Sequence, residues 1–273
     1  MPELITSRKN EIIKHAARLS SSSEYRREQG LFLVEGARLC CDAAKSGVKI
    51  LHLFFTEQAQ EKYIDYLNVI QPVSEQINEV EPHVAALLTE TKTTQGIFCI
   101  CKMSECAQGL DHMELSRHYL ALENIQDPAN LGAVLRTAEA LGVGGVVLAG
   151  SCCDVYSPKV LRASMGAVFR LPFFIANDMA ASVKHLKERG FVTLAAVPDE
   201  EAIKITELSF QRPTVIAVGN EGSGLTEEAI AACSQSVTIP MPGRVESLNA
   251  SASAAILMWE MMRTKSGGGS NES

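Results

Sequence analysis

Six short apolar runs alternate with helical patterns through the second half of the chain, and they leave few architectures open. The runs are YLALE, GVVLA, FFI, FVTLAAV, TVIAVG and SVTIP. Between them, helices are expected near residues 128–141, 158–167, 179–189, 225–233 and 248–263. Strands this short and this uniformly apolar have no polar face to turn toward water. They belong in a mostly parallel sheet covered on both sides by the intervening helices. Ligands on such a sheet sit beyond the carboxyl ends of the strands. The loops after YLALE, TVIAVG and SVTIP are therefore where chemistry is sought.

The first half alternates too. LFLVEG reads as a strand, ARLCCDAAKSG as a helix stopped by Gly47, KILHLFF as a strand, EQAQEKYIDYL as a helix and GIFCICKM as a strand. SECAQGLDHMELS, residues 104–116, is polar and contains a glycine, which marks a boundary. The expected organisation is a smaller α/β domain over 1–108, a linker over 109–117, a second domain over 118–265 and a disordered tail over 266–273.

Charge and cysteine usage narrow the function. No apolar run is long enough to span a membrane, and the N-terminus lacks the apolar stretch of a secretory signal. It is basic and amphipathic, but Glu3 and Glu11 argue against a transit peptide, so a cytoplasmic protein is expected. Eight cysteines include no CxxC pair, which points to buried free thiols and to no metal site. A net charge of −7 argues against nonspecific coating of nucleic acid. Yet residues 1–27 hold six bases (Arg8, Lys9, Lys14, Arg18, Arg26, Arg27) against three acids. That is either a local basic docking face or an ordinary solvated helix face.

In ENIQDPANLGAVLRTAEALG, Asp127 suits an N-cap and Pro128 the first helical position. Leu131, Val134, Leu135, Ala138 and Leu141 then form one stripe, with Arg136 roughly opposite. Spacing alone makes Arg136 a solvated arginine and Asn130 a partner for first-turn amides. In TVIAVGNEGSGLTEEAI, Gly219, Gly222 and Gly224 lie between strand and helix. Their spacing is not GxGxxG. Glu221, Glu227 and Glu228 would repel a pyrophosphate at that helix start, so the loop suits a neutral or cationic ligand. A tight turn followed by dipole-complementing acids fits the same residues. In IPMPGRVESLNAS, Pro240 and Pro242 fix φ, and Ser247 and Asn249 flank Leu248 where the last helix begins. One of the two is naturally an N-cap; both are not. The helix beyond, ASASAAILMWEMM, is apolar on nearly all sides. Core, knot or subunit contact would each supply its burial.

DPANLGAVLRTAEALG, VGNEGSGL and IPMPGRVESLNASASAA together resemble the three signature motifs of the SpoU-type (TrmH-like) RNA 2′-O-ribose methyltransferases of the SPOUT superfamily, in that family's order. SPKVLRASMGAVFRLP, between the first two, resembles the family as well. The likeness covers residues 118–263. The N-terminal half, with ITSRKNEIIKHAARL and LFLVEGARL, resembles the small ribosomal-protein-like RNA-binding domain that often precedes this catalytic domain.

The resemblance implies a C-terminal trefoil knot, a homodimer through the knotted domain and methyl transfer from S-adenosyl-L-methionine to a ribose 2′-hydroxyl of rRNA or tRNA. It assigns Arg136 as catalytic, supported by Asn130, Glu221, Ser247 and Asn249. It places the cofactor on backbone around Gly219, Ile239, Met241 and Leu248, with Glu221, Gly222 and Asn249 beside it. A cationic sulfonium matches the acidic second loop. Arg136 is assigned to activation of the hydroxyl, although a guanidinium stays protonated. Holding the target phosphate and stabilising the developing alkoxide is the alternative. Arg8, Lys9, Lys14 and Arg18, with Arg136 and Arg162, become the RNA-facing bases. A catalytically silent RNA-binding protein of the same fold is the rival reading. A nucleotide-dependent oxidoreductase is disfavoured by the glycine spacing and the loop acids.

Overall fold

A computed structural model of the chain describes residues 2–90, 93–103, 109–243, 245 and 247–263; the expected tail over 266–273 lies outside them. The chain divides into two compact units, Met1–Ser104 with Asp154–Arg170, and Glu105–Cys153 with Leu171–Ser273.

The first unit runs β1 (Glu3–Ile5), α1 (Glu11–Ser21), α2 (Ser23–Gln29), β2 (Leu31–Glu35), α3 (Ala37–Lys45), β3 (Ile50–Phe55), α4 (Glu57–Lys62), α5 (Ile64–Ile70), β4 (Ser74–Val80), α6 (Pro82–Ala85) and β5 (Ile97–Lys102). Its sheet has the order β1-β4-β3-β5-β2. β5 pairs antiparallel with both β2 and β3, while β4 pairs parallel with β3 and β1. β2, β3 and β5 match the expected strands, and β1 and β4 are additional to them. β4 is SEQINEV, whose only apolar members are Ile77 and Val80, so it carries no strand-like apolar run. Asn10 caps α1 by accepting from the Ile12 amide at 3.0 Å, and Ile13, Ala16 and Leu19 form its buried stripe.

One of the N-terminal bases is not on the surface at all. Arg26 is buried, donating through Nη1 to the carbonyls of Leu19 (2.7 Å) and Ser20 (2.9 Å) at the end of α1. Its Nε and Nη2 both reach Asp154 Oδ2 at 2.7 Å. A buried guanidinium must spend its donors on fixed acceptors, and this one does.

The second unit starts with β6 (Tyr119–Glu123), α7 (Pro128–Ala140) and β7 (Val146–Ala149). The chain then contributes α8 (Pro158–Ser164) to the first unit, against β2. It returns as β8 (Phe173–Ala176), α9 (Met179–Glu188), β9 (Val192–Ala196), β10 (Ile203–Lys204), β11 (Thr214–Val218), α10 (Glu227–Ala232), β12 (Gln235–Thr238) and α11 (Ala250–Arg263). The sheet order is β10-β12-β9-β11-β6-β7-β8, every pair parallel. All six expected strands are present, and β10 is an addition of two residues. Every residue of β6, β7 and β11 is buried, as strands covered on both faces must be. Tyr119 anchors the core edge-on against Phe174 and Phe191, with ring centroids 5.9 and 5.8 Å away.

The last helix departs from its expectation of all-round burial. Ala250, Ala254, Leu257, Met258 and Met261 are buried, and α11 packs against α7 and β11. On its other face Ile256 is 38% and Trp259 57% exposed. No described helix is long and apolar enough to cross a membrane.

Candidate functional site

After β6 the chain moves through β7 and β8 on one side, then crosses to build β9 to β12 on the other. The reversal falls between β6 and β11, and the crevice beyond their carboxyl ends is where such sheets bind ligands. The three loops singled out in the sequence leave β6, β11 and β12 at that end.

The loop after β11 closes on itself. The Asn220 amide donates to the Gly224 carbonyl (3.2 Å), and the Gly224 amide returns to Asn220 (2.8 Å). Asn220 Oδ1 accepts from the amides of Gly222 (2.8 Å) and Ser223 (3.3 Å), while its Nδ2 donates to the Asn124 carbonyl (3.0 Å). Gly219 is required by space rather than by φ. A Cβ there would stand 2.0 Å from Gly224 C and 2.1 Å from Leu225 N. Gly224 is required by conformation, at φ +68°. Beneath the loop, the buried carboxylate of Glu123 accepts from Thr226 N (2.8 Å) and Thr226 Oγ1 (3.0 Å).

This closed turn carries Glu221, and Glu221 is where the three loops meet. Asn130 Nδ2, in the first turn of α7, donates to the Glu221 carboxylate. Asn249 Nδ2 donates to Asn130 Oδ1 at 3.1 Å. Asn249 Oδ1 meanwhile caps α11, accepting from the Ser251 amide (2.9 Å), Ser251 Oγ (2.6 Å) and the Ala252 amide (3.4 Å). Asn249, not Ser247, is thus the helix cap. Asn130 is not spent on first-turn amides. Asp127 does that, accepting from Ala129 at 2.7 Å.

Beside this relay lies a cleft of about 590 Å³. Gly219, Glu221, Gly222, Ile239, Met241, Ser247 and Leu248 all line it. Those are the expected cofactor positions except Asn249, together with the expected Ser247. Residues not foreseen also line it: Val197 to Asp199 after β9, and Ser253 and Leu257 on α11. The β9 loop was legible as one more strand end. Glu123 was legible as a lone acid ending an apolar strand.

Arg136 is elsewhere. It is exposed on α7, does not line the cleft and has no ion pair among the described residues. Six residues beyond Asn130, it lies about 240° further round the helix and about 9 Å further along it. Arg8 and Lys9 are exposed, Lys14 is paired with Glu11 at 2.7 Å, and the Arg18 guanidinium stacks 3.8 Å from the Tyr25 ring centroid. Arg162 is half-buried near Glu35 and Glu90, both 3.9 Å away. Cys152 and Cys233 are poor nucleophiles. Burial raises the Cys152 pKa and pushes that of Cys233 up to about 12.

A profile described as the SpoU rRNA Methylase family matches residues 117–259, half of the chain. The chain belongs to the SpoU rRNA methylase family. A second profile, an MRM3-like substrate binding domain, matches residues 10–99 of this SpoU-family chain. An uncharacterised tRNA/rRNA methyltransferase of Synechocystis is 33% identical over 95% of the chain and 93% of its own length. A 23S rRNA guanosine 2′-O-methyltransferase of Bacillus subtilis is 28% identical over 94% and 98%. Among solved structures, an AdoMet-bound rRNA methyltransferase from Sinorhizobium meliloti superposes with a TM-score of 0.84 at 28% identity, covering 96% of this chain and 97% of that one. The resemblance read from the three motifs over residues 118–263 therefore holds, and the likeness to these relatives extends over nearly the whole chain.

Proposed function

We propose that the chain transfers a methyl group from S-adenosyl-L-methionine to a ribose 2′-hydroxyl of ribosomal RNA. The observation that carries this reading is the Glu221–Asn130–Asn249 relay, which joins three loops distant in sequence at the rim of one cleft. The names of the relatives support rRNA as the substrate class. The cleft fits the cofactor: its volume is in the range of small-molecule sites, its glycine turn presents backbone, and Glu221 and Asp199 offer carboxylates to a cation. The backbone around Gly219, Ile239, Met241 and Leu248 would hold it, and it would supply an electrophilic methyl group there.

The chain supplies orientation and charge. Asn130 donates to one side of Glu221 and is itself oriented by Asn249, so the carboxylate is held with no counter-charge among the described residues. We assign Arg136 to the RNA: it grips the phosphate beside the target and stabilises the alkoxide developing at the 2′-oxygen. A permanently protonated guanidinium suits that role better than the role of base.

Because Arg136 does not line its own cleft, we infer that a second copy of the chain supplies it. We place the homodimer contact on the exposed face of α11, where Ile256 and Trp259 lie one turn apart. α11 packs on α7, the helix that carries Arg136, and we infer that this contact brings Arg136 of one protomer toward the cleft of the other. Trp259→Asp is expected to yield a monomer by light scattering and to lose methyl transfer. A dimeric, active Trp259→Asp variant would overturn the contact. We also infer that the segment from β12 to α11 threads the trefoil knot, and that the enzyme works in the cytoplasm, on ribosomes or their precursors.

The function is tested by calorimetry with S-adenosylmethionine, followed by transfer of labelled methyl to rRNA from cells lacking the protein. Cofactor binding and one 2′-O-methyl mark are expected. RNA binding without cofactor binding would favour the silent alternative. Arg8 and Lys9 are exposed on the first unit, and their reversal to Glu is expected to weaken RNA binding about tenfold at low salt and to flatten its salt dependence. Unchanged affinity in a filter-binding titration would remove that surface from the reading.

A further inference from the structure

The first unit holds a cavity of its own, about 280 Å³, where α3 begins beside α8. Glu35, Arg38, Asp42 and Arg162 supply its charged walls, and Leu39 and Met165 its apolar ones. None of these residues belongs to the cleft described above.

Two features of the wall are built for a ligand. Arg162 Nη1 is buried with no hydrogen-bond partner among the described residues; its nearest carboxylate oxygen there, Glu35 Oε2, stays 3.9 Å away. A buried donor left without an acceptor is destabilising, and an acceptor entering the cavity would relieve it. Met165 ends α8 in the left-handed conformation, φ 49°, at a position that glycine ordinarily takes. Its side chain is 39% exposed and lies at the cavity. A thioether there offers a polarisable contact to a flat π-surface.

The charges say what kind of ligand. Two carboxylates and two guanidiniums line the wall, and Glu90 stands 3.9 Å from Arg162 as well, so a phosphate finds no net positive field. What gains is a neutral molecule with apolar faces and an edge carrying both acceptors and N–H donors. A nucleobase is such a molecule, and guanine places its O6 and N7 acceptors on the same ring system as its N–H donors. Single-stranded RNA is recognised by splaying bases out of the stack into sites of this kind.

We infer that this cavity takes one unstacked base of the RNA substrate, guanine before the other three, with Arg162 Nη1 donating to its acceptor edge and Asp42 accepting from its N–H groups. The inference rests on the reading of RNA as substrate.

The test uses the full chain and ligand-observed NMR with GMP, AMP, UMP, CMP and inorganic phosphate. Saturation transfer to the base proton of GMP is expected, stronger than for the other mononucleotides and not displaced by phosphate. Asp42→Asn is expected to weaken GMP about tenfold or more. Leu39→Trp, which fills the cavity, is expected to abolish binding. Both variants should keep wild-type affinity for S-adenosylmethionine by calorimetry, which also reports that they fold. Displacement of GMP by phosphate, equal binding of all four mononucleotides, no transfer from millimolar GMP, or wild-type GMP binding by both variants would each overturn the proposal. The two readings fail separately. A chain that transfers methyl groups but ignores GMP refutes only the cavity; one that binds GMP but transfers nothing refutes only the enzyme.

Discussion

Arg136→Ala is expected to lower methyl transfer about a thousandfold or more while leaving the affinity for S-adenosylmethionine unchanged. The arginine lies outside the cofactor cleft, so truncating it removes charge from the acceptor side alone. Arg136→Lys separates the two parts of its role. Lysine keeps the point charge and loses the planar fork, so partial recovery is expected, short of wild type. The placement of Arg136 also predicts complementation. In a mixed dimer of Arg136→Ala and Glu221→Ala protomers, the intact cleft of the first would face the intact arginine of the second. Co-refolded mixtures should therefore regain up to a quarter of wild-type activity, taking random mixing and one working site in each mixed dimer, where each variant alone has almost none. Two inactive variants that stay inactive together would mean that Arg136 serves its own cleft, against its position on α7. A fully active Arg136→Ala variant would remove it from the mechanism.

Gly219→Ala is expected to weaken S-adenosylmethionine binding at least about a hundredfold, a loss of about 2.7 kcal/mol. One added methyl would have to sit within 2.2 Å of three atoms, all of them backbone in Gly224 and Leu225. Side chains can rotate away from an intruder; a turn closed by two backbone hydrogen bonds and braced by Asn220 can only open. Opening it moves Glu221 away from Asn130 and lifts the floor of the cleft together. Circular dichroism should show a folded chain, because the neighbouring strands do not depend on the turn. Near-wild-type affinity measured by calorimetry would mean that the turn is soft and that the cofactor does not rest on it. Gly222→Ala serves as the contrast. The nearest atom a Cβ would meet there is Asn220 Oδ1 at 3.4 Å, an ordinary contact, so a much smaller effect is expected.

The glycines of this loop show how much is legible in the sequence. The spacing of Gly219, Gly222 and Gly224 excluded a dinucleotide loop and placed them between a strand and a helix. It could not say which glycine serves space and which serves φ, because that depends on how the turn folds back. The paired asparagines were similar. Asn130 was readable as a partner for first-turn amides and Asn249 as a helix cap, and only their closeness in space shows that Asn249 caps α11 and reaches Asn130 as well. The basic N-terminus was read from composition, and composition counted Arg26 with the rest. Its burial against Asp154, 128 residues away, has no local signal.

The second unit's parallel sheet and the loops to search for its site were set by the sequence alone. They follow from short-range regularities: the length of apolar runs, the period of the helices and the chemistry of caps and turns, each written within a few residues. Tertiary structure alone decided that β6 and β11 are neighbours, that Glu221 meets Asn130 and that Arg136 does not line the cleft. Those are contacts between residues far apart in the chain. They come from which strands pair and where a helix axis runs, and a one-dimensional pattern does not encode such distances.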